Sequence, residues 1–344
     1  MNKKPFGLDI GATTVKIVSL SKDKETYFFN SSIIAPTPVK GMLSESPLDE
    51  EEMAQTIRKS ADDAGIDSDK VNVALPENQV YTKVLEMPVL SDNELRSAIY
   101  WEAEQYIPVP LENITLAWNV LRKPEGANPT EKMQVLMVGA PTSLINKYQR
   151  IISMAGFSVN AMETEILSTT RALVSGETFP STLIISVGAV STSFAIISKG
   201  TMLFTYSMSM GGAAINRAIS VDLNLSPEQA EEYKKAYGFS DKSLGGKIGK
   251  ATEPILNSIL QEVKKSIAFF TQKYKSEGPI RQILLSGGTA KLPGIDMYFA
   301  NNSGIETAIA NPWKSLASQE VPKEILDNAP DYTIAVGLDM RDYE

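Results

Sequence analysis

Phe6-Gly7-Leu8-Asp9-Ile10-Gly11-Ala12-Thr13-Thr14-Val15-Lys16-Ile17-Val18-Ser19-Leu20 is the stretch on which the reading of this chain turns. An apolar run carrying one carboxylate, Asp9, enters a turn of small and hydroxylated residues, and a second β-rich run leaves it. Backbone N–H groups at a tight glycine turn converge on anions, and the Thr13 and Thr14 hydroxyls and Lys16 add donors. The turn does not fit G-x-x-x-x-G-K-[ST], and no helical period follows it. A P-loop or a dinucleotide fingerprint needs strand–loop–helix, so neither applies. Val15, Ile17 and Leu20 continue a strand, which makes the unit a hairpin.

The unit recurs about half a chain later. Leu183 to Lys199 aligns with residues 6–22 without a gap, setting Gly188 on Gly11, Ala189 on Ala12 and Lys199 on Lys22. Self-similarity at a fixed offset is the mark of an internal repeat. Two halves that each open on such a hairpin would face their turns across a cleft. A third glycine signal, Ser286-Gly287-Gly288-Thr289, follows the apolar run Ile283-Leu284-Leu285.

Composition narrows the chemistry. The 344 residues allow two or more domains, and 43% of them are hydrophobic, enough for sizeable cores. The net charge is −8 and no long basic run is present, so nucleic-acid binding is not expected. The sequence has no Cys and no His, which excludes disulfides, thiolate chemistry, Ser–His–Asp triads and most transition-metal sites. Asp9 interrupts the only apolar run near Lys3 and Lys4, so no secretory leader is predicted, and no apolar run is long enough for a bilayer. A soluble cytosolic protein is the expectation.

Between the glycine signals the chain reads as alternating strands and helices. A meander over 1–35 is followed by a Pro-rich loop, a helix from Leu48 to Ala64 and a strand at 71–75. Residues 77–157 read as a self-contained β-α-β-β-α insert, with a capping box at Ser91 and Glu94. A helix from Glu165 connects the halves. The second half carries helices over 213–223, 227–237 and 253–275. Asn311-Pro312-Trp313 opens a surface loop, and Tyr332 to Met340 is a last helix.

Two phosphate hairpins and a late S-G-G-T loop, in this order, resemble the sugar-kinase, heat-shock-chaperone and actin superfamily. Within it the chain is similar to the FtsA-related branch, and above all to the PilM family of type IV pilus assembly. Trp101-Glu102-Ala103-Glu104-Gln105-Tyr106-Ile107-Pro108-Val109-Pro110-Leu111, Asn224-Leu225-Ser226 with Ala230-Glu231-Glu232-Tyr233-Lys234, and Ala310-Asn311-Pro312 carry that likeness. It implies an α/β, bilobal actin-like ATPase fold with a duplicated ribonuclease H-like core. Residues 1–76, 158–178 and 331–344 would form lobe 1A, 77–157 the inserted 1C subdomain, 179–210 with 280–330 lobe 2A, and 211–279 subdomain 2B.

The resemblance also implies ATP and Mg²⁺ in the cleft. Asp9 would hold the metal through water, since Mg²⁺ keeps several waters and takes one or two carboxylates plus phosphate oxygens. Gly11, Ala12, Thr13, Thr14 and Lys16 would meet the phosphates from one side, and Gly188, Ala189, Ser191 and Thr192 from the other. Gly287, Gly288 and Thr289, bordered by Lys291, would admit adenine and ribose, with Glu231 and Lys234 as further contacts. By itself the Glu231–Lys234 spacing is equally an ordinary i,i+3 surface pair. Glu165 is a candidate for orienting water, while Glu163 fits a helix-dipole role.

The family's second acidic residue is Ser186 here, so hydrolysis is expected to be weak or absent while binding persists. Tyr100, Trp101, Tyr106 and Ile107 read most simply as core. The family groove between 1A and 1C takes the N-terminal peptide of PilN, and self-association is a further expectation. Membrane contact would come only through partners, at the inner face. An FtsA-type division or filament-forming protein and a small-molecule kinase are the rival readings. The acidic end of the sequence argues against the first, and the absence of an acceptor cluster against the second.

Overall fold

The computed structural model describes residues 4–24, 26–124, 132–239, 246–316 and 321–343. Chain order gives β1 (Phe6–Ile10), β2 (Thr14–Asp23), β3 (Thr26–Pro36), α1 (Pro47–Asp63) and β4 (Lys70–Leu75). Then come β5 (Tyr81–Met87), α2 (Asp92–Tyr106), β6 (Ile114–Arg122), β7 (Met133–Pro141), α3 (Thr142–Met154), β8 (Ser158–Thr164) and α4 (Glu165–Leu173). The second half holds β9 (Thr182–Val187), β10 (Thr192–Ser198), β11 (Thr201–Met208), α5 (Gly212–Leu223), α6 (Pro227–Tyr237), α7 (Lys247–Lys273), β12 (Gln282–Ser286), α8 (Ile295–Ser303) and β13 (Glu306–Ile309). The chain closes with α9 (Lys323–Asp327) and α10 (Thr333–Met340).

The repeat seen in the sequence is a repeat of topology. One five-stranded sheet runs β3-β2-β1-β4-β8 and the other β11-β10-β9-β12-β13. Each half therefore arranges its own strands in the order 3-2-1-4-5, with an antiparallel hairpin followed by parallel crossovers. Every residue of the central strands β1 and β9 is buried, because helices cover both faces. Large apolar clusters fill each half, one around Phe6, Leu8 and Ile57, the other around Phe194, Leu260 and Phe270.

α10 returns to the first half, where it packs on β1, β2, β4 and α4. The approach leaves no room for side chains. A Cβ on Gly337 would lie 1.9 Å from the Ser168 carbonyl oxygen, and one on Gly7 would lie 2.1 Å from that of Ala335. Asp339, buried on α10, accepts the Leu20 amide at 2.9 Å and stitches the helix to β2.

The insert forms a three-stranded sheet ordered β5-β7-β6, covered on one face by α2. Three readings change at this level. The insert is not self-contained: α3 sends Tyr148, Ile151 and Ile152 into the first-lobe cluster, because its apolar stripe faces α1 and β8. The insert's sheet also meets the second half, where Val84, Leu136 and Val138 pack with Ile184, Ile197 and Met202. Trp313 does not lie on a surface loop. It is buried against Phe29 and Tyr332. Conversely, Trp101 is 60% exposed, and Tyr100 and Tyr106 are also in solvent; only Ile107 of that group joins the core. The apolar face of α2 is instead supplied by Leu95, Ile99 and Ala103.

Candidate functional site

Both hairpins close in the same way. The Gly11 amide donates to the Thr14 carbonyl at 3.0 Å, and the Gly188 amide to that of Ser191 at 2.9 Å. Among the described residues, the amides of Ala12, Thr13, Ala189 and Val190 donate no hydrogen bond. Open amides at a turn are anion donors. Thr37 braces the first turn by donating to the Gly11 carbonyl at 2.8 Å, and Thr289 braces the second by donating to that of Gly188 at 3.1 Å.

The two turns and the 287–289 loop line one cleft of about 1470 Å³. Gly287 has φ +81°, and a Cβ there would lie 2.6 Å from the Val187 carbonyl oxygen, so this loop can approach β9 only as glycine. Asp9, Lys16, Glu165, Glu231, Lys234 and Lys291 line the same cleft. The sequence-predicted residues therefore come together, with one exception. Thr192 is fully buried at the start of β10 and donates its hydroxyl to the Met210 carbonyl at 2.7 Å, which turns it away from the cleft. Ser193, its neighbour on the opposite face of the strand, lines the cleft instead.

The charges are arranged asymmetrically. Asp9 and Lys16 are cross-strand partners in the first hairpin and form an ion pair at 2.9 Å, with Asp9 buried and Lys16 partly open to the cleft. Burial alone would pull the Lys16 ammonium down, but the Asp9 charge and hydrogen bond, with Asp331 and Glu165 beyond, hold it above its ordinary value. The matching cross-strand pair in the second hairpin is Ser186 and Ser193, so that half brings neither charge. Glu165 begins α4 and keeps part of its surface open to the cleft. Desolvation on its other sides, and then the Asp9 charge, push its carboxyl up to about 8.

Across the cleft, Glu231 is bonded by Lys234 at 2.6 Å, Lys235 at 3.1 Å and the Asn216 amide. Burial opposes its ionisation, but these donors prevail and hold it down to about 2. Lys291 is bound by Asp331 and by Asn328 at 2.6 Å. Glu163 lies outside the cleft lining, in a fork with Arg171 and a contact to Arg341 at 3.2 Å. Sequence reasoning missed Asn216, Ser193, Asp331 and Tyr148. Asn216 comes from the second turn of α5 and Asp331 from the 3-10 turn before α10, neither with a motif, and Tyr148 belongs to the amphipathic stripe of α3.

A family model described as type IV pilus assembly protein PilM matches residues 7–343. The chain belongs to the PilM family. A chain from a PilM–PilN type IV pilus biogenesis complex is 25% identical, with a TM-score of 0.85 over 100% of both chains. The cell division protein FtsA of Streptococcus pneumoniae is 26% identical over 328 residues, 84% of this chain and 71% of its own length. An MreB of Spiroplasma citri bound to ADP is similar in fold alone, at 14% identity and a TM-score of 0.52 over 100% of this chain and 97% of that one. The fold is the bilobal actin-like one, as the hairpins predict. No described helix is long and apolar enough to cross a membrane.

Proposed function

We propose that this PilM-family chain binds ATP·Mg²⁺ in the cleft and uses it to set the conformation of a scaffold for type IV pilus assembly. The observation that carries the reading is the convergence of two matched turns with open amides, and the 287–289 loop, on one cavity. Phosphates fit the amides of Ala12, Thr13, Ala189 and Val190, and Lys16 adds a point charge. Gly287 and Gly288 leave room for the nucleoside, and Lys234, held by Glu231, borders it. The bound ADP of the similar MreB supports the same class of ligand.

Asp9 fits a Mg²⁺ held through water. Among the described residues no cluster of three acidic groups is poised for a metal, so the cation depends on the phosphates for its remaining ligands. When bound, Mg²⁺ would neutralise the polyphosphate and polarise it for attack by water. The protein does little to promote that attack. Ser186 adds no negative charge, and Glu165, protonated at neutral pH, can orient a water by hydrogen bonding but is a poor acceptor for its proton. Weak or absent hydrolysis follows.

The partner in this reading is PilN, with which the similar chain forms a complex; its N-terminal peptide would dock in the groove between lobe 1A and the 1C insert. The solvent-facing aromatics of α2 suit an apolar peptide. Binding to the membrane would pass through that partner, at its cytoplasmic face. We keep residues 77–157 as the insert, with its α3 packed on the first-lobe cluster.

Titration with a fluorescent ATP analogue, with and without Mg²⁺, tests the cleft. Asp9→Ala frees the Lys16 charge, so binding without Mg²⁺ should hold or improve while the gain from Mg²⁺ disappears. Equal Mg²⁺-dependent affinity in the variant would overturn the metal assignment. A pull-down with the PilN peptide tests the partner, and no enrichment counts against it. ATP-dependent sedimentation reports self-association.

A further inference from the structure

Glu77 opens the 3-10 turn Glu77–Gln79 between β4 and β5, at the root of the insert. It is 2% exposed and has no cationic partner among the described residues. Burying an unpaired carboxyl is costly, and burial pushes its pKa up. A glutamine could accept the same hydrogen bonds without that penalty. The position therefore calls for an explanation beyond packing.

Its contacts reach three parts of the molecule. The Glu77 amide donates to Glu165 Oε2 at 3.2 Å, and the amide of Ile166, in the first turn of α4, donates to Glu77 Oε2 at 3.4 Å. Each acid thus caps the element of the other. From the second lobe, the Ser207 hydroxyl donates to the Glu77 carbonyl at 3.4 Å. Five residues on, in β5, the Thr82 carbonyl accepts the Tyr106 hydroxyl at 3.2 Å. Tyr106 ends α2 on the exposed aromatic side of the insert.

We propose that Glu77 is a positioning residue that fixes the Glu165 carboxyl in the cleft and carries cleft occupancy to the aromatic face of α2. The proposal rests on the cleft being a nucleotide site. An entering polyphosphate brings negative charge and acceptor oxygens beside Asp9, Lys16 and Glu165, which line the cleft. The protonated Glu165 carboxyl shifts to donate to them, which rearranges its hydrogen bonds. Because the link to Glu77 is reciprocal, that shift moves the root of β5, and with it the Thr82–Tyr106 contact.

The chain has three tryptophans, and two of them, Trp101 and Trp118, lie in the insert. In a Trp313→Phe background, tryptophan fluorescence reports on the insert alone. Adding ATP·Mg²⁺ should change it. Glu77→Met, which fills a similar volume but cannot accept from the Ile166 amide, should still bind nucleotide and lose most of that change, and Tyr106→Phe should do the same from the far end of the path. Glu77→Gln, which can accept that bond, should retain the change. Hydrogen exchange over residues 81–106 in the otherwise native chain, with and without ATP·Mg²⁺ and with and without Glu77→Met, gives the same readout if Trp313→Phe does not fold. A full insert response in Glu77→Met, or tight nucleotide binding with no insert response in the parent, overturns the proposal. Absence of nucleotide binding in the parent would sink the reading of the cleft itself, and this proposal with it.

Discussion

Asp9 and Lys16 were legible as singular charges in an apolar hairpin, but their ion pair was not. It follows from the register Asp9↔Lys16, which two strands fix only once paired. Glu165 shows the same limit. Its place at a helix start made it a candidate, but its raised pKa comes from burial and from Asp9, far away in sequence. That shift makes a prediction. The folded pKa of about 8 lies above the unfolded value near 4.5. Between these values the folded state binds the extra proton, so this residue's contribution to stability falls as pH rises through the window. Glu165→Gln should therefore leave urea stability unchanged near pH 4. At pH 8.5 it should stabilise the chain by on the order of 1–2 kcal/mol, allowing for the solvent that screens the cleft. A second expectation follows from the same carboxyl: any ATP turnover should rise with pH towards 9 in the parent and not in Glu165→Gln.

Helices and strands were the best-read level, because period and caps are local. The capping box at Ser91 and the repeat of hairpins appear where the residues place them. What failed was the side to which an element belongs. α3 is amphipathic in either domain, and only packing showed its stripe facing α1. Tyr100 and Trp101 are aromatic on any reading, and only the docked helix showed the other face buried. At this scale the crossing of α4 and α10 is the sharpest test. A Cβ at Gly337 would collide with the Ser168 backbone, which cannot swing aside as a side chain can. Gly337→Ala should lower the urea midpoint by about 1–3 kcal/mol of stability, the usual cost of overpacking. Gly65→Ala, where a Cβ meets nothing but φ is +66°, should cost about 1 kcal/mol or less.

At the scale of the molecule the insert belongs to both halves of the cleft. Its chain leaves the first lobe, yet its sheet packs on Ile184 and Met202, and two ionic contacts cross to the second lobe: Arg122 to Glu277 at 3.4 Å and Lys273 to Glu86 at 3.5 Å. The Glu277 side chain is 6% exposed and also accepts from Ser198 and Lys199. A strut of this kind resists opening of the cleft unless it slides. A double-mutant cycle on Arg122→Ala and Glu277→Gln should give a coupling of about 0.5–1 kcal/mol, since Arg122 is partly in solvent. Hydrogen exchange in β6 and β11 should rise in Glu277→Gln. No change in either would show that the insert is carried by the first lobe alone.

By itself the sequence determined the duplicated hairpin architecture, the exclusion of thiol and imidazole chemistry, and most of the residues that meet in the cleft. These are properties of period, composition and local turns. Only the tertiary structure decided that Asp9 neutralises Lys16, that Thr192 turns inward, that Trp313 is core, and that Glu77 joins cleft to insert. Each depends on which distant segments pack together, and burial and partner charge, not residue type, then set the chemistry of the group.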